Sequence, residues 1–273
     1  MSFSAHPPVL AVVNHKGGTG KTTTTVNLAA TVADLGFRVL VVDLDPQASA
    51  TRWLTPQGQI PDHGDKPFRV LEGTLAAPDA VLSTPHAGVD LLPANATLRQ
   101  AARSLAGEPA SDASLRTALR ALPGGAYDLV LLDCPPHEGF LSANALLAAT
   151  GLLIPVETRV LALEGLASMV ATIRRLGARL DREIPIAAVL ACRLDRRTAH
   201  APWVAESIRA FLDDQFPGVP LVEIRENVAL SDAAAAREPI THFRPRSTGA
   251  EDYRALAQLV ATLLELHLSH AAR

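Results

Sequence analysis

Two lysines bracket one glycine turn in the stretch His15 to Thr25, HKGGTGKTTTT. GGTGKTT follows an apolar, strand-like run and opens a stretch of helical periodicity, which is the context a phosphate-binding loop requires. Gly17, Gly18 and Gly20, with Thr19 among them, let backbone N–H groups close on phosphate oxygens, and the following helix offers its positive N-terminal end. Lys21 then reaches the β- and γ-phosphates, and the Thr22 hydroxyl is placed to ligate Mg²⁺. The competing structural reading is a strand-to-helix turn that holds no ligand. Thr23, Thr24 and Thr25 are mediocre helix formers, and a bound polyphosphate would offset that weakness at the helix start.

Three aspartates end apolar runs where such phosphates would lie. Asp43 and Asp45 stand in VVDLDPQASAT and Asp133 in LLDCPP. In an α/β sheet the ligand-binding groups collect at the C-terminal ends of parallel strands. Asp133, after four aliphatic residues, fits a carboxylate that holds Mg²⁺. Asp43 has two readings, a further group near the metal or a cap for local backbone N–H groups. For all three the plain alternative is capping of a strand end.

The elements that must position these groups read as repeated βαβ units around a mostly parallel, twisted sheet with helices on both faces. Strands are expected at Val9 to Asn14, Arg38 to Asp43, Val89 to Ala94, Asp128 to Asp133, Gly151 to Val156 and Ile184 to Cys192. Their continuous hydrophobicity suits strands covered on both faces. Helical periodicity runs from Lys21 to Leu35, closed by Gly36, from Leu161 to Leu180 and from Ala250 to Leu268. Thr55 to Arg69, rich in Pro, Gly and Asp, reads as a surface loop.

With 273 residues, 48% of them hydrophobic, the chain can bury a large core, and no linker divides it. We expect one domain over residues 1–273. A net charge of −3 excludes binding to nucleic acid or membrane by bulk charge, so any such contact must be a local patch. Of the 25 basic residues only Lys16, Lys21 and Lys66 are lysines, so 22 are arginines, and two of the three lysines flank the glycine turn. That retention suggests a required compact ammonium. Cys134 and Cys192 are too few for a disulfide framework and read as buried thiols. No apolar run approaches the ~18 residues of a membrane span, MSFSAHPP lacks the parts of a secretory signal, and a cytoplasmic location is the expectation. The C-terminal helix carries too few cations for a membrane-surface anchor. At 4% aromatic content, base stacking on single strands is disfavoured.

KGGTGKTT, with a lysine at its first position, resembles the deviant Walker A motif of the ParA/MinD group of P-loop ATPases. DLDPQ resembles that group's switch I segment and DCPPHEGFLSANAL its switch II segment. LALEGLASMVATI, LACRLDRRTAH and IRENVALSDAAAAREPI also align, so the resemblance spans about Val9 to Leu264. It implies a P-loop NTPase fold and a slow Mg²⁺-dependent ATPase with ATP/ADP as cofactor. It implies further that Lys16 reaches across a dimer interface to the partner's nucleotide, much as an arginine finger does. Asp45 then orients the attacking water, Asp133 is the Walker B carboxylate, and Arg193 lies beside the adenine. Implied partners are a second copy in the ATP state, a ParB-type centromere-binding protein and non-specific double-stranded DNA, with a nucleoid-associated location. Too few residues precede Val9 for an N-terminal helix-turn-helix, which matches the short chromosomal forms.

The departures from this pattern cluster in one segment, where Arg225, Glu226, Ala229 and Ala234 replace the commoner Pro, Arg, Arg and Pro. Two arginines are lost and one glutamate gained in a region implicated in DNA binding, which weakens the phosphate-contact contribution. Arg193, Arg196, Arg197 and Arg225, or Arg244 and Arg246, can still form a basic patch, or can be ordinary solvated arginines. Other functions stay open: positioning of a protein cargo or septum regulator, or a metabolic relative such as a biotin-pathway synthetase or a reductase iron protein. The last lacks a second suitably placed cysteine.

Overall fold

The computed structural model describes residues 6–56, 63–108, 111–159, 161–179, 181–195 and 200–271. Its centre is built from β1 (Val9–Val12), β2 (Val39–Asp43), β5 (Leu129–Asp133) and β6 (Gly151–Glu157), whose residues are all buried. Two short strands, β3 (Leu82–Ser83) and β4 (Val89–Leu92), extend one side, and β7 (Ile186–Leu194) and β8 (Leu221–Arg225) extend the other. The order among the described residues is β3-β4-β2-β5-β1-β6-β7-β8, parallel except where β3 pairs antiparallel with β4.

Strand periodicity splits the core in two. Val9, Ala11 and Val13 face one apolar layer, and Leu10 and Val12 face the other. The first layer is covered by α3 (Lys66–Glu72), α4 (Leu98–Ser104), α5 (Ser114–Arg120), α6 (Phe140–Ala148), α7 (Ala162–Arg179) and α8 (His200–Gln215). The second is covered by α1 (Lys21–Asp34), α2 (Ser49–Leu54), α9 (Val228–Ala236), α10 (Ile240–Phe243) and α11 (Thr248–Ala271). Both faces are therefore covered, as the continuous apolar strands require.

All six expected strands form, with ends within a few residues of expectation. β3 and β8 are additional, both at sheet edges, and α2, α4, α5, α6, α8, α9 and α10 lie where no helix is assigned from the sequence. The expected loop over Thr55 to Arg69 is corrected at its end: residues 57–62 lie outside the described residues, but Lys66–Glu72 is α3. Proline in the first turn starts this helix, Val70 and Leu71 bury one side, and Gly73 at φ 82° ends it.

β1 is the pivot of this topology. From β1 the chain crosses to β2 on one side, and later elements continue through β6 on the other. The crevice at such a reversal, above the C-terminal strand ends, is where open α/β sheets bind ligands. The register delivers Asp133 beside Val12 on one side and directly opposite Asp43 on the other.

Candidate functional site

The loop from β1 to α1 is built with backbone freedom where it turns. Gly18 and Gly20 have φ of 77° and 95°, a region costly for residues with a Cβ. A Cβ at Gly17 or Gly18 would meet nothing within 4 Å, so no internal packing demands the missing side chain at Gly17. What the glycines preserve is open approach to the backbone. Asn14 anchors the loop's entry. Its Nδ2 donates to Pro155 O at 2.8 Å, and its Oδ1 accepts from Lys16 N at 2.9 Å.

The two lysines differ sharply in setting. Lys21 is 7% exposed, and its Nζ donates to Lys16 O at 3.0 Å. Burial pulls its pKa down, opposed by the Asp133, Cys134 and Asp45 charges. Lys16 is exposed, and its ammonium makes no hydrogen bond or ion pair among the described residues.

The threonines of α1 turn out to be employed. Thr22 Oγ1 donates to Asp133 Oδ2 at 2.8 Å, and Thr25 Oγ1 stands 3.2 Å from Asp133 Oδ1. Thr24 Oγ1 lies 3.4 Å from the hydroxyl of Tyr253 on α11. Poor helix propensity is accepted here because three short hydroxyl side chains are needed at the base of the loop.

Asp43 is occupied differently from Asp133. Its Oδ2 accepts from Thr51 N and Thr51 Oγ1, both at 2.8 Å, and its Oδ1 accepts from Asp45 N at 3.0 Å. It is thus a cap that shapes the turn after β2. That turn carries Asp45, half-buried, whose Oδ1 accepts from Gln47 N at 2.8 Å. Asp43 and Asp133 are both essentially buried and side by side in the register. Burial first, then mutual repulsion, pushes Asp133 up to about 8. Burial pushes Asp43 up to about 6 against the bonds from Thr51.

A cavity of about 1190 Å³ opens over the loop. Gly17 to Thr23, Asp45 and Pro136 line one side, and Cys192 to Asp195, Ile224 to Val228 and Tyr253 line the other.

Known proteins supply the remaining observation. A family model described as an AAA domain matches residues 8–186. The chromosome-partitioning ATPase Soj of Thermus thermophilus is 41% identical over 251 residues, covering 92% of this chain and 94% of that one. Soj of Bacillus subtilis, a sporulation initiation inhibitor protein, is 37% identical over 253 residues, covering 93% and 98%. The chain belongs to the ParA/Soj family of P-loop ATPases. Among solved structures, cobyrinic acid a,c-diamide synthase from Mycobacterium smegmatis with bound ATP analog and magnesium is 30% identical. It superposes with a TM-score of 0.74, covering 92% of this chain and 93% of that one. The fold is that of the P-loop NTPases.

Within this ParA/Soj frame the donor set fits a hard divalent cation. Thr22 offers a hydroxyl, and Asp133 and Asp45 offer carboxylate oxygens. Two adjacent buried carboxylates held above their usual pKa form a site that a cation relieves. Among the described residues no cluster of three or more His, Cys, Asp or Glu forms a cage made by protein alone. Mg²⁺ needs no such cage, since it keeps waters and takes phosphate oxygens.

The arginines are less free than their positions in the sequence suggest. Arg193, at φ 54°, lines the cavity, and its Nη1 pairs with Glu157 Oε1 at 2.9 Å. Arg225 is clamped by α11. Its Nη2 lies 2.6 Å from Asp252 Oδ1 and 3.0 Å from Glu251 Oε2, and its backbone N donates to Asp252 Oδ2 at 2.8 Å. Arg244 stands 3.5 Å from Asp232. Arg196 and Arg197 lie outside the described residues. Sequence reasoning passed over Asn14, Glu157 and Asp252. Asn14 has a signal, a polar residue ending an apolar strand just before the glycines. Asp252 has none, because its partner is 27 residues away on another element.

Proposed function

We propose that this chain is an ATP-hydrolysing dimeric switch for chromosome or plasmid partition, acting through a single ATPase domain over residues 1–273. The carrying observation is the contrast between the lysines: Lys21 is committed to its own loop and lines the cavity, while Lys16, at the start of the same loop, is exposed with an ammonium that makes no hydrogen bond or ion pair among the described residues. Gly17 to Thr23 wrap ATP or ADP phosphates, and Lys21 exchanges Lys16 O for a phosphate oxygen. Thr22, Asp133 and Asp45 hold Mg²⁺, which when bound neutralises phosphate charge. Asp45 orients the attacking water, Arg193 borders the base, and Lys16 reaches the partner subunit's nucleotide. Turnover is slow until a ParB-type partner stimulates it. In the ATP state the dimer binds double-stranded DNA without sequence preference and associates with the nucleoid in the cytoplasm. No helix among the described residues is long and apolar enough to cross a membrane, and no membrane contact is proposed.

A second reading has its own observation. The guanidinium groups of Arg193 and Arg225 are already neutralised by carboxylates, which favours a ParA-like ATPase that positions a protein cargo without holding DNA. Binding to non-specific duplex DNA with no nucleotide, ADP and ATP, at two salt concentrations, separates the two. ATP-dependent, salt-sensitive binding supports partition, and no binding in any state supports the cargo reading. In parallel, Lys16→Ala is expected to weaken ATP-dependent dimerisation more than ADP binding by the monomer. Asp45→Ala is expected to dimerise yet hydrolyse poorly. Unchanged dimerisation in Lys16→Ala refutes the role across the interface.

A further inference from the structure

The segment between β5 and α6 carries a carboxylate that the preceding reading leaves unused. Glu138 touches three residues on two segments at once, two on α7 and one in the loop after β1. Thr172 of α7 donates its hydroxyl to Glu138 Oε1 at 2.8 Å, and Arg175 of α7 donates from Nη2 to Oε2, also at 2.8 Å. His15, the residue before Lys16, brings its Nε2 to 3.3 Å from Oε1, a contact without the alignment of a hydrogen bond that becomes an ion pair only when the imidazole is protonated. Thr172 is buried, so the anchor on α7 is fixed, whereas half of the Glu138 side chain remains exposed.

Exposed ion pairs contribute little to stability, typically about 0.2–1 kcal/mol. A contact of this kind acts by restricting geometry. Lys16 is restrained on its backbone by Asn14 Oδ1 at 2.9 Å and by Lys21 Nζ on its carbonyl at 3.0 Å. The second restraint disappears when Lys21 turns to a phosphate. What then still holds this stretch is Asn14, a long bond of 3.5 Å from the Thr19 hydroxyl to Lys16 O, and the His15–Glu138 contact.

We propose that Glu138 is a positioning residue: through His15 it fixes the direction of Lys16 against α7, and so sets how well two subunits pair around ATP. The inference rests on the role given to Lys16 above. Glu138 touches neither the phosphate loop's glycines nor the carboxylates, so nucleotide binding within one subunit is independent of it.

The test is a double-mutant cycle on the full chain with Glu138→Ala, His15→Ala and both together, alongside Lys16→Ala. ATP-dependent dimerisation is followed by sedimentation, turnover by phosphate release, and monomer binding with a fluorescent ADP. Each single variant is expected to lose about tenfold in dimer affinity and turnover, with ADP affinity within about twofold of the parent, and the double variant is expected to lose no more than either single. His15→Ala guards against a folding defect peculiar to the Glu138 change. Parental dimerisation in Glu138→Ala, additive losses in the double variant, or weakened ADP binding each overturn the proposal. Normal dimerisation by Lys16→Ala overturns instead the reading beneath it, so the two failures are distinguishable.

Discussion

The most quantitative consequence of this site concerns Asp133 and pH. Asp133 is buried and directly opposite buried Asp43, and its folded-state pKa is about 8 against an ordinary 3.8. A carboxyl group raised on folding holds a proton that the unfolded chain has released. Its contribution to stability is therefore lost as pH rises through the folded value. Histidines oppose this at lower pH: burial lowers the His15 and His86 pKa values below 6.5, so their contribution improves stability as pH rises toward 6.5. From pH 6.5 to 8 the histidines of the unfolded chain complete their titration, still toward greater stability, while Asp133 works against them, so the difference between parent and Asp133→Asn isolates the carboxyl group. One proton over that interval is worth about 2 kcal/mol at ~1.4 kcal/mol per pH unit. For a chain of this length that is a melting-temperature fall of roughly 4–8 °C. Urea and thermal unfolding with a chelator present should show the decline, and Asp133→Asn, which cannot ionise, should lack it. Burial raises Asp43 to about 6, so its own loss falls mainly below this window. Parallel stability profiles for parent and Asp133→Asn between pH 6.5 and 8 would refute the account of two repelling buried carboxylates.

Two further outcomes follow from packing and charge. Asp252→Ala removes the main partner of Arg225 and should cost roughly 1–3 kcal/mol in urea unfolding, since it orphans a backbone N–H while Glu251 and Thr248 O still hold the guanidinium. Removing Glu251 as well, in Asp252→Ala with Glu251→Ala, leaves the guanidinium without a carboxylate and should raise affinity for duplex DNA and steepen its salt dependence by about one phosphate contact. Gly177→Ala reverses the usual gain of up to about 1 kcal/mol from alanine in a helix. The new Cβ would meet the Arg182 carbonyl oxygen at 2.6 Å, so the melting temperature should fall, by an amount equivalent to roughly 1–3 kcal/mol.

The parts of this molecule that were legible in its sequence are those encoded locally. The glycine loop sits between an apolar strand and a periodic helix, and strands covered on both faces announce themselves as unbroken aliphatic runs. β8 is different: LVEIR is an edge strand, only one of its five residues is buried, and its polar residues mask the pattern. α8 carries a readable period, with Val204, Ala205, Ile208 and Leu212 buried along one side, although no helix is assigned there from the sequence. α3 hides in a stretch of turn-forming residues because Pro67 starts a helix as readily as it ends one. The two readings of Asp43 could be separated only by its partner Thr51, eight residues further on in another element. Arg225 reads as a free cation until the register of β8 against α11 brings Asp252 to it.

The same nonlocal bonds shape how the loop would respond to nucleotide. Lys21 Nζ is already bonded to Lys16 O and Thr22 Oγ1 to Asp133, so holding phosphate and metal exchanges bonds at both positions instead of adding them. For Thr22 the exchange is between comparable bonds, whereas Lys21 gives up a neutral carbonyl for a charged phosphate oxygen, a stronger, charge-assisted bond. At the carboxylates a cation would offset a repulsion that the folded chain otherwise carries. On the proposed reading, release of Lys16 O by Lys21 would leave the first lysine guided by Asn14, by the Thr19 hydroxyl and by His15 against Glu138. On the proposed roles, ligand capture by Lys21 and presentation of Lys16 to a second subunit would both follow from breaking a single 3.0 Å hydrogen bond.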